Sequence, residues 1–172
     1  KNIPLKIAHE GTLVIRGEAV IGYEDFRSIN AKITDPALQY KNPRNLCSGS
    51  VRQLNNQITA ERHVRFFAFS LVEAEGKEYM NSRKKQKKFL KQLGFEVVEY
   101  KEVTAENMLE AIEEFAEKIT TYDIPSDGLV LIFDDIAYGK SLGRTAKFPR
   151  DAIAFKWADE VRETTLKEIE WS

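Results

Sequence analysis

Asn42-Pro43-Arg44-Asn45-Leu46-Cys47-Ser48-Gly49-Ser50-Val51-Arg52-Gln53-Leu54 is the stretch around which the rest of the chain organises itself. Asn42 can cap a helix and Pro43 suits a first turn, which predicts a loop turning into a short helix whose free backbone N–H groups favour an anion. Arg44 and Arg52 flank a run of small residues from Cys47 to Ser50. At about 1.5 Å and 100° per residue, their spacing sets them roughly 12 Å and 80° apart, a span suited to two points on one extended polyanion rather than to a single phosphate. The small residues between them let a ligand or another backbone come close. A surface helix with solvated arginines is the competing reading, because charged side chains mostly lie outside.

Working outward, residues 12–21 are dense in β-branched and apolar side chains, with Leu13, Ile15, Ala19 and Ile21 on one face and Val14, Arg16, Glu18 and Val20 on the other. This pattern predicts a strand buried on much of both faces. Glu18 is then a carboxylate in apolar surroundings, and it needs either an arginine partner or a metal ion or sugar hydroxyl. On the other side, residues 62–74 contain Val64, Phe66, Phe67, Ala68, Phe69, Leu71 and Val72, a long aromatic strand in which alternation puts Phe67, Phe69 and Leu71 on one face. Most of these rings belong to a core. One aromatic at a strand end beside a cleft can stack on a base, worth about 1–3 kcal/mol.

Helical spacing in Phe26, Ile29 and Ile33 predicts a helix over 23–33, with Pro36 beyond its end. Residues 82–93 form an amphipathic helix closed by Gly94, and its lysines are a solvated face or a DNA-backbone contact. A short strand over 95–100 and a helix over 104–119 capped by Thr104 read as scaffold. Pro125-Ser126-Asp127-Gly128 is a turn feeding an apolar strand over 129–133, so Asp127 stands at a strand's entrance. Residues 140–150 are basic and irregular, with Arg144, Lys147 and Arg150 around Gly143 and Pro149. In the strand predicted over 152–157, Lys156 follows Ile153 and Phe155, and a lysine in so apolar a strand is suited to an anion. Residues 161–171 alternate as a final strand.

The chain has 172 residues, 42% hydrophobic and 31% charged, which predicts one globular domain with a real core. A net charge of −1 and a pI near 6.2 exclude a uniformly basic coat for nucleic acid, so any such contact is localised. The single cysteine, Cys47, excludes an internal disulfide and a cysteine-based zinc site, and it reads as a small packed residue compatible with a reducing cytosol. There is no apolar run of about 18 residues and no signal peptide, so a soluble protein with no membrane partner is expected. The chain begins at Lys1 without an initiator Met, as a piece cut from a longer protein would.

Arg16-Gly17-Glu18, Asn42-Pro43-Arg44-Asn45, Ser48-Gly49-Ser50-Val51-Arg52-Gln53-Leu54, Asp127-Gly128-Leu129-Val130, and Leu142-Gly143 through Ala154-Phe155-Lys156 occur in an order that resembles the adenylation domain of bacterial NAD-dependent DNA ligases. The likeness covers essentially the whole chain, and the spacing agrees without gaps over 44–69 and 127–156. It implies an α+β nucleotidyltransferase fold, of the DNA ligase and mRNA capping enzyme kind, with antiparallel sheets flanking a nucleotide cleft, and it makes 1–172 a partial adenylation domain. In that family a lysine attacks the AMP phosphorus of NAD and expels nicotinamide mononucleotide. The lysyl-AMP then adenylates a DNA 5′-phosphate, and the 3′-hydroxyl closes the nick. Such chemistry needs neutralised phosphate oxygens and aligned attacking and leaving atoms.

By this resemblance Glu18 positions the ribose or a Mg2+ ion, Arg44 and Arg52 contact phosphates or DNA near the nick, and Phe69 stacks on adenine. Asp127 matches the essential acid of the fourth nucleotidyltransferase motif and Lys156 the phosphate-binding lysine of the fifth, while Lys147 and Arg150 add positive charge for DNA at the same edge. The implied partners are NAD or AMP, nicked duplex DNA and the remaining ligase domains, in the bacterial cytoplasm at the nucleoid, during replication and repair. Two departures stand out. No Lys-x-Asp-Gly occurs: Pro125 lies two before Asp127, so the nucleophile would lie upstream of Lys1 and this piece would not adenylate itself. Ile132 stands where the family usually has a lysine, removing a charge-assisted contact worth ~1.5–3 kcal/mol. A catalytically silent nucleotide- or DNA-binding module of the same fold is the second reading. The oligonucleotide-binding, zinc, helix-hairpin-helix and BRCT parts of such ligases are not within these residues.

Overall fold

The computed structural model describes residues 2–78, 80–157 and 163–169. Within them the chain runs β1 (Leu13–Val20), α1 (Tyr23–Asn30), a 3-10 turn (Pro36–Leu38), α2 (Pro43–Val51), α3 (Asn56–Glu61), β2 (Arg65–Ala74), α4 (Arg83–Gln92), α5 (Met108–Ile119), β3 (Gly128–Ile132), α6 (Ile136–Ser141) and β4 (Ala152–Lys156). This is a mixed helix and strand architecture with two small antiparallel sheets, β1–β2 and β3–β4.

α2 forms where its sequence predicts. The Asn42 side chain accepts the Asn45 N–H at 2.8 Å, and Pro43 occupies the first turn, where a missing N–H costs nothing. Its buried residues Pro43, Leu46, Cys47 and Ser50 recur at helical spacing, so Arg44 and Arg52 are left on the exposed side. Leu46 and Cys47 pack with Ile21, at the end of β1, into a core joined by Phe26, Ile29, Tyr40 and Val64. α4 also forms as predicted: Ser82 accepts the Lys85 N–H at 3.2 Å, and Gly94 takes φ +91° just beyond the helix, a conformation glycine adopts without strain.

β2 departs from simple alternation. The register runs from Leu13 opposite Ala74 to Val20 opposite Arg65, but it skips Val72 and Phe69, which face no residue of β1. Two bulges therefore place Ala68, Leu71 and Ala74, three residues apart, on the buried side, where Leu90 of α4 meets them. Phe69 is 46% exposed while Leu71 is 7%, so the two do not share a face as alternation predicted.

Other expectations are corrected. β1 is half-open rather than buried on both faces, with Val14, Arg16, Glu18 and Ala19 exposed. α1 stops at Asn30, and the strand expected over 95–100 reduces to one parallel bridge between Val97 and Ala68. The helix expected from 104 begins at Met108, because the Asn107 side chain takes the Thr104 N–H at 2.7 Å in a turn ahead of it. α3 and α6, six residues each, carry too little periodicity to read from sequence. Residues 163–169 contain no strand, and the rest of the final strand expected over 161–171 lies outside the described residues.

Candidate functional site

Asp127 and Lys156 meet at the open end of the β3–β4 ladder. Gly128 pairs with Lys156 in the register, the Trp157 N–H donates to the Asp127 carbonyl at 3.2 Å, and Lys156 Nζ donates to Asp127 Oδ2 at 3.1 Å. Gly128 is required by close approach: a Cβ there would lie 2.2 Å from the Phe155 carbonyl oxygen and 3.0 Å from Lys156 Cα. The Asp127 carboxyl is held below the usual carboxylate range, first by the Lys156 hydrogen bond, then by its charge, with Arg44 contributing further positive field. Arg44, Asp127 and Lys156, distant in sequence, thus share one electrostatic neighbourhood.

α2 links that neighbourhood to β1. The Cys47 thiol donates to the Ala19 carbonyl at 3.2 Å, and its pKa is pushed up by burial and by the nearby Glu18 carboxylate. Glu18 is exposed rather than buried, and it makes no ion pair among the described residues, so it is an open carboxylate beside α2. Arg44 sits three residues before Cys47 on the same helix. Of the predicted residues, Asp127 and Lys156 are in direct contact, while Arg44 acts on Asp127, and Glu18 on Cys47, through charge alone.

The others stand apart. Arg52, Lys147 and Arg150 are exposed and form no ion pair among the described residues. Lys147 and Arg150 belong to a tight loop before β4, in which Thr145 donates to the Phe148 carbonyl at 2.8 Å and the Arg150 N–H donates to the Gly143 carbonyl at 3.1 Å. Phe69 protrudes from its bulge in β2. Ile132 lies opposite Ala152 and shares the ladder face of Lys156, four positions away. Three of the α4 lysines are engaged within the molecule: Lys87 and Lys91 stand over the Tyr100 ring at 4.5 and 5.2 Å, and Lys84 pairs with Glu102.

The description that matches this chain, over residues 1–160, is the NAD-dependent DNA ligase adenylation domain. The chain belongs to that family. It is 64% identical over 172 residues to a DNA ligase of Lachnoclostridium phytofermentans and 60% identical over 172 residues to a DNA ligase of Ruminiclostridium cellulolyticum. A DNA ligase of Brachyspira hyodysenteriae is 34% identical over 171 residues, 98% of this chain. The match takes in all of this chain for the first two but only 26% of the length of each of the three ligases.

In this adenylation-domain chain, one further residue seats the arginine helix, and sequence reading missed it. Arg62 donates to the fully buried Ser50 Oγ at 3.1 Å and to the Tyr40 hydroxyl at 3.0 Å, bracing the C-terminal end of α2. Residues 40, 50 and 62 have no periodic relation, so only the tertiary structure joins them. Two shallow grooves among the described residues, about 410 Å³ beside Tyr23, Arg27 and Tyr122 and about 240 Å³ beside Tyr100 and Phe115, contain none of the predicted site residues. No cluster of three metal-ligating side chains occurs among the described residues, and no helix among them is long and apolar enough to cross a membrane.

Proposed function

We propose that this chain is part of the nucleotidyltransferase domain of an NAD-dependent DNA ligase, which takes AMP from NAD and uses it to seal nicks in duplex DNA in the bacterial cytoplasm. The observation that carries the reading is the Lys156–Asp127 contact at 3.1 Å, which joins two residues distant in sequence at the mouth of the β3–β4 ladder. In this reading Lys156 and Arg44 neutralise phosphate oxygens, while Asp127 holds the Lys156 ammonium until a phosphate competes for it. Phe69, extruded and half-exposed, is available to stack on adenine. Glu18 offers one carboxylate, which fits a Mg2+ ion drawing its other ligands from phosphate and water, or a ribose hydroxyl. Arg52, Lys147 and Arg150, exposed and without an ion pair among the described residues, are cations suited to the DNA backbone.

The nucleophilic lysine is not among these residues, so the test uses the full-length protein that contains the chain. Incubation with NAD should add the mass of one AMP and release nicotinamide mononucleotide, and ATP should not substitute. No mass gain with NAD would favour the silent module, the reading that Ile132 in place of a lysine supports. Mass spectrometry of the intact protein decides between them.

A further inference from the structure

We propose that Arg83 and Asp151 form a positioning pair that fixes β4 against β3 and so delivers Lys156 to Asp127. Arg83, the first residue of α4, donates from Nη2 to Asp151 Oδ2 at 2.6 Å and from Nε to the Phe133 carbonyl at 3.1 Å. Phe133 directly follows β3 and Asp151 directly precedes β4, and the Phe133 N–H donates to the Asp151 carbonyl at 3.1 Å. One guanidinium therefore brackets both strands at the end of the ladder opposite Lys156. The Arg83 and Asp151 side chains are 25% and 9% exposed, whereas every other ion pair among the described residues leaves both partners at least 34% exposed. The surroundings are closed as well: a Cβ on Gly139 of α6 would lie 2.9 Å from Asp151. Next to them Arg83 and Lys84 are tied by backbone to Asp134, so the bracket is anchored in α4, which itself packs on β2.

A two-stranded ladder is marginal in water by itself, and β3–β4 is largely solvent-exposed along its length. A one-residue slip would move Lys156 to the opposite face. A buried, charge-assisted bracket resists that slip, because breaking it leaves an unpaired charge inside the protein. Asp151 lies about 17 Å along the strand from Lys156, and neither it nor Arg83 touches a reacting atom, so their role is positioning.

The activity arm of the test rests on the proposed ligase reading and uses single-turnover adenylation of the full-length protein, with Arg83→Met, Arg83→Lys and Asp151→Asn. Arg83→Met should lower the adenylation rate constant at least tenfold, with KM for NAD within threefold and the active fraction unchanged, and Arg83→Lys should recover most of the rate. A merely structural role would lower the active fraction instead. An unchanged rate constant in both Arg83→Met and Asp151→Asn overturns the proposal. If Arg83→Met does not fold, Asp151→Asn carries the same comparison. Hydrogen exchange on the same proteins separates this inference from the ligase reading. Should the wild type fail to take AMP, the ligase reading falls, while faster exchange confined to 152–156, with 65–74 unchanged, still supports the pair. Equal exchange of 152–156 in wild type and variants overturns it.

Discussion

Lys156 and Asp127 hold each other at 3.1 Å with 71% and 72% of their side chains in solvent. An ion pair so exposed contributes at most about 1 kcal/mol, because water and salt screen it. Stability is therefore not what the pair supplies; it sets the orientation of an ammonium at the mouth of the ladder. Lys156→Met should shift urea unfolding by less than about 1 kcal/mol, while the Asp127 carboxyl, followed by NMR titration, rises toward the ordinary value of about 3.9. The sign follows from linkage. A carboxyl held low in the folded chain stabilises above its ordinary pKa and loses that contribution as pH falls through the depressed one. Stability of the variant should thus fall less steeply with acid in that window, by a small amount. Glu18 teaches the complementary lesson: its exposure removes the need for a buried partner that an apolar strand implied, and leaves the carboxylate open.

At the scale of elements, the approach of β3 to β4 depends on the absence of a side chain at Gly128. Gly128→Ala forces the strands apart at Lys156, and overpacking of this kind costs about 1–3 kcal/mol. Urea unfolding should report that loss, and the Asp127 titration should return toward its ordinary value with it. Gly49, on α2 with nothing within 4 Å of an added Cβ, is the contrast: Gly49→Ala should stabilise by about 0.5–1 kcal/mol. α2 and α4 were legible in sequence because caps and helical periodicity are local signals. The faces of β2 were not, because two bulges shift the parity of the side chains, and a bulge is fixed by pairing with β1 rather than by its own residues. The Asp-Gly step looked like a turn, and its meaning, a close strand approach, needed the partner strand. Arg62 and Arg83 escaped notice for the same reason: their partners come from other segments.

For the whole molecule, a net charge of −1 restricts DNA contact to a local patch, and the structure leaves Arg52, Lys147 and Arg150 unpaired on the surface among the described residues. Each phosphate contact contributes about 0.9 to the slope of log affinity against log salt. Arg52→Ala and Lys147→Ala in the full-length protein should each flatten that slope by about 0.9 on nicked duplex, with little dependence on base sequence, as read by fluorescence anisotropy across a salt series. The candidate site was legible only through motif order, since the meeting of 127 with 156 depends on the pairing of β3 with β4, and the seating of α2 comes from a core no single segment spells out. The same core has a practical corollary. Cys47 is the chain's one sulfhydryl, 5% exposed and held protonated on the inner face of α2 against β1. An alkylating reagent reaches it only when the arginine-bearing helix lifts away from β1, so the labelling rate is a built-in clock for that opening, and any ligand that clamps the helix will slow the clock.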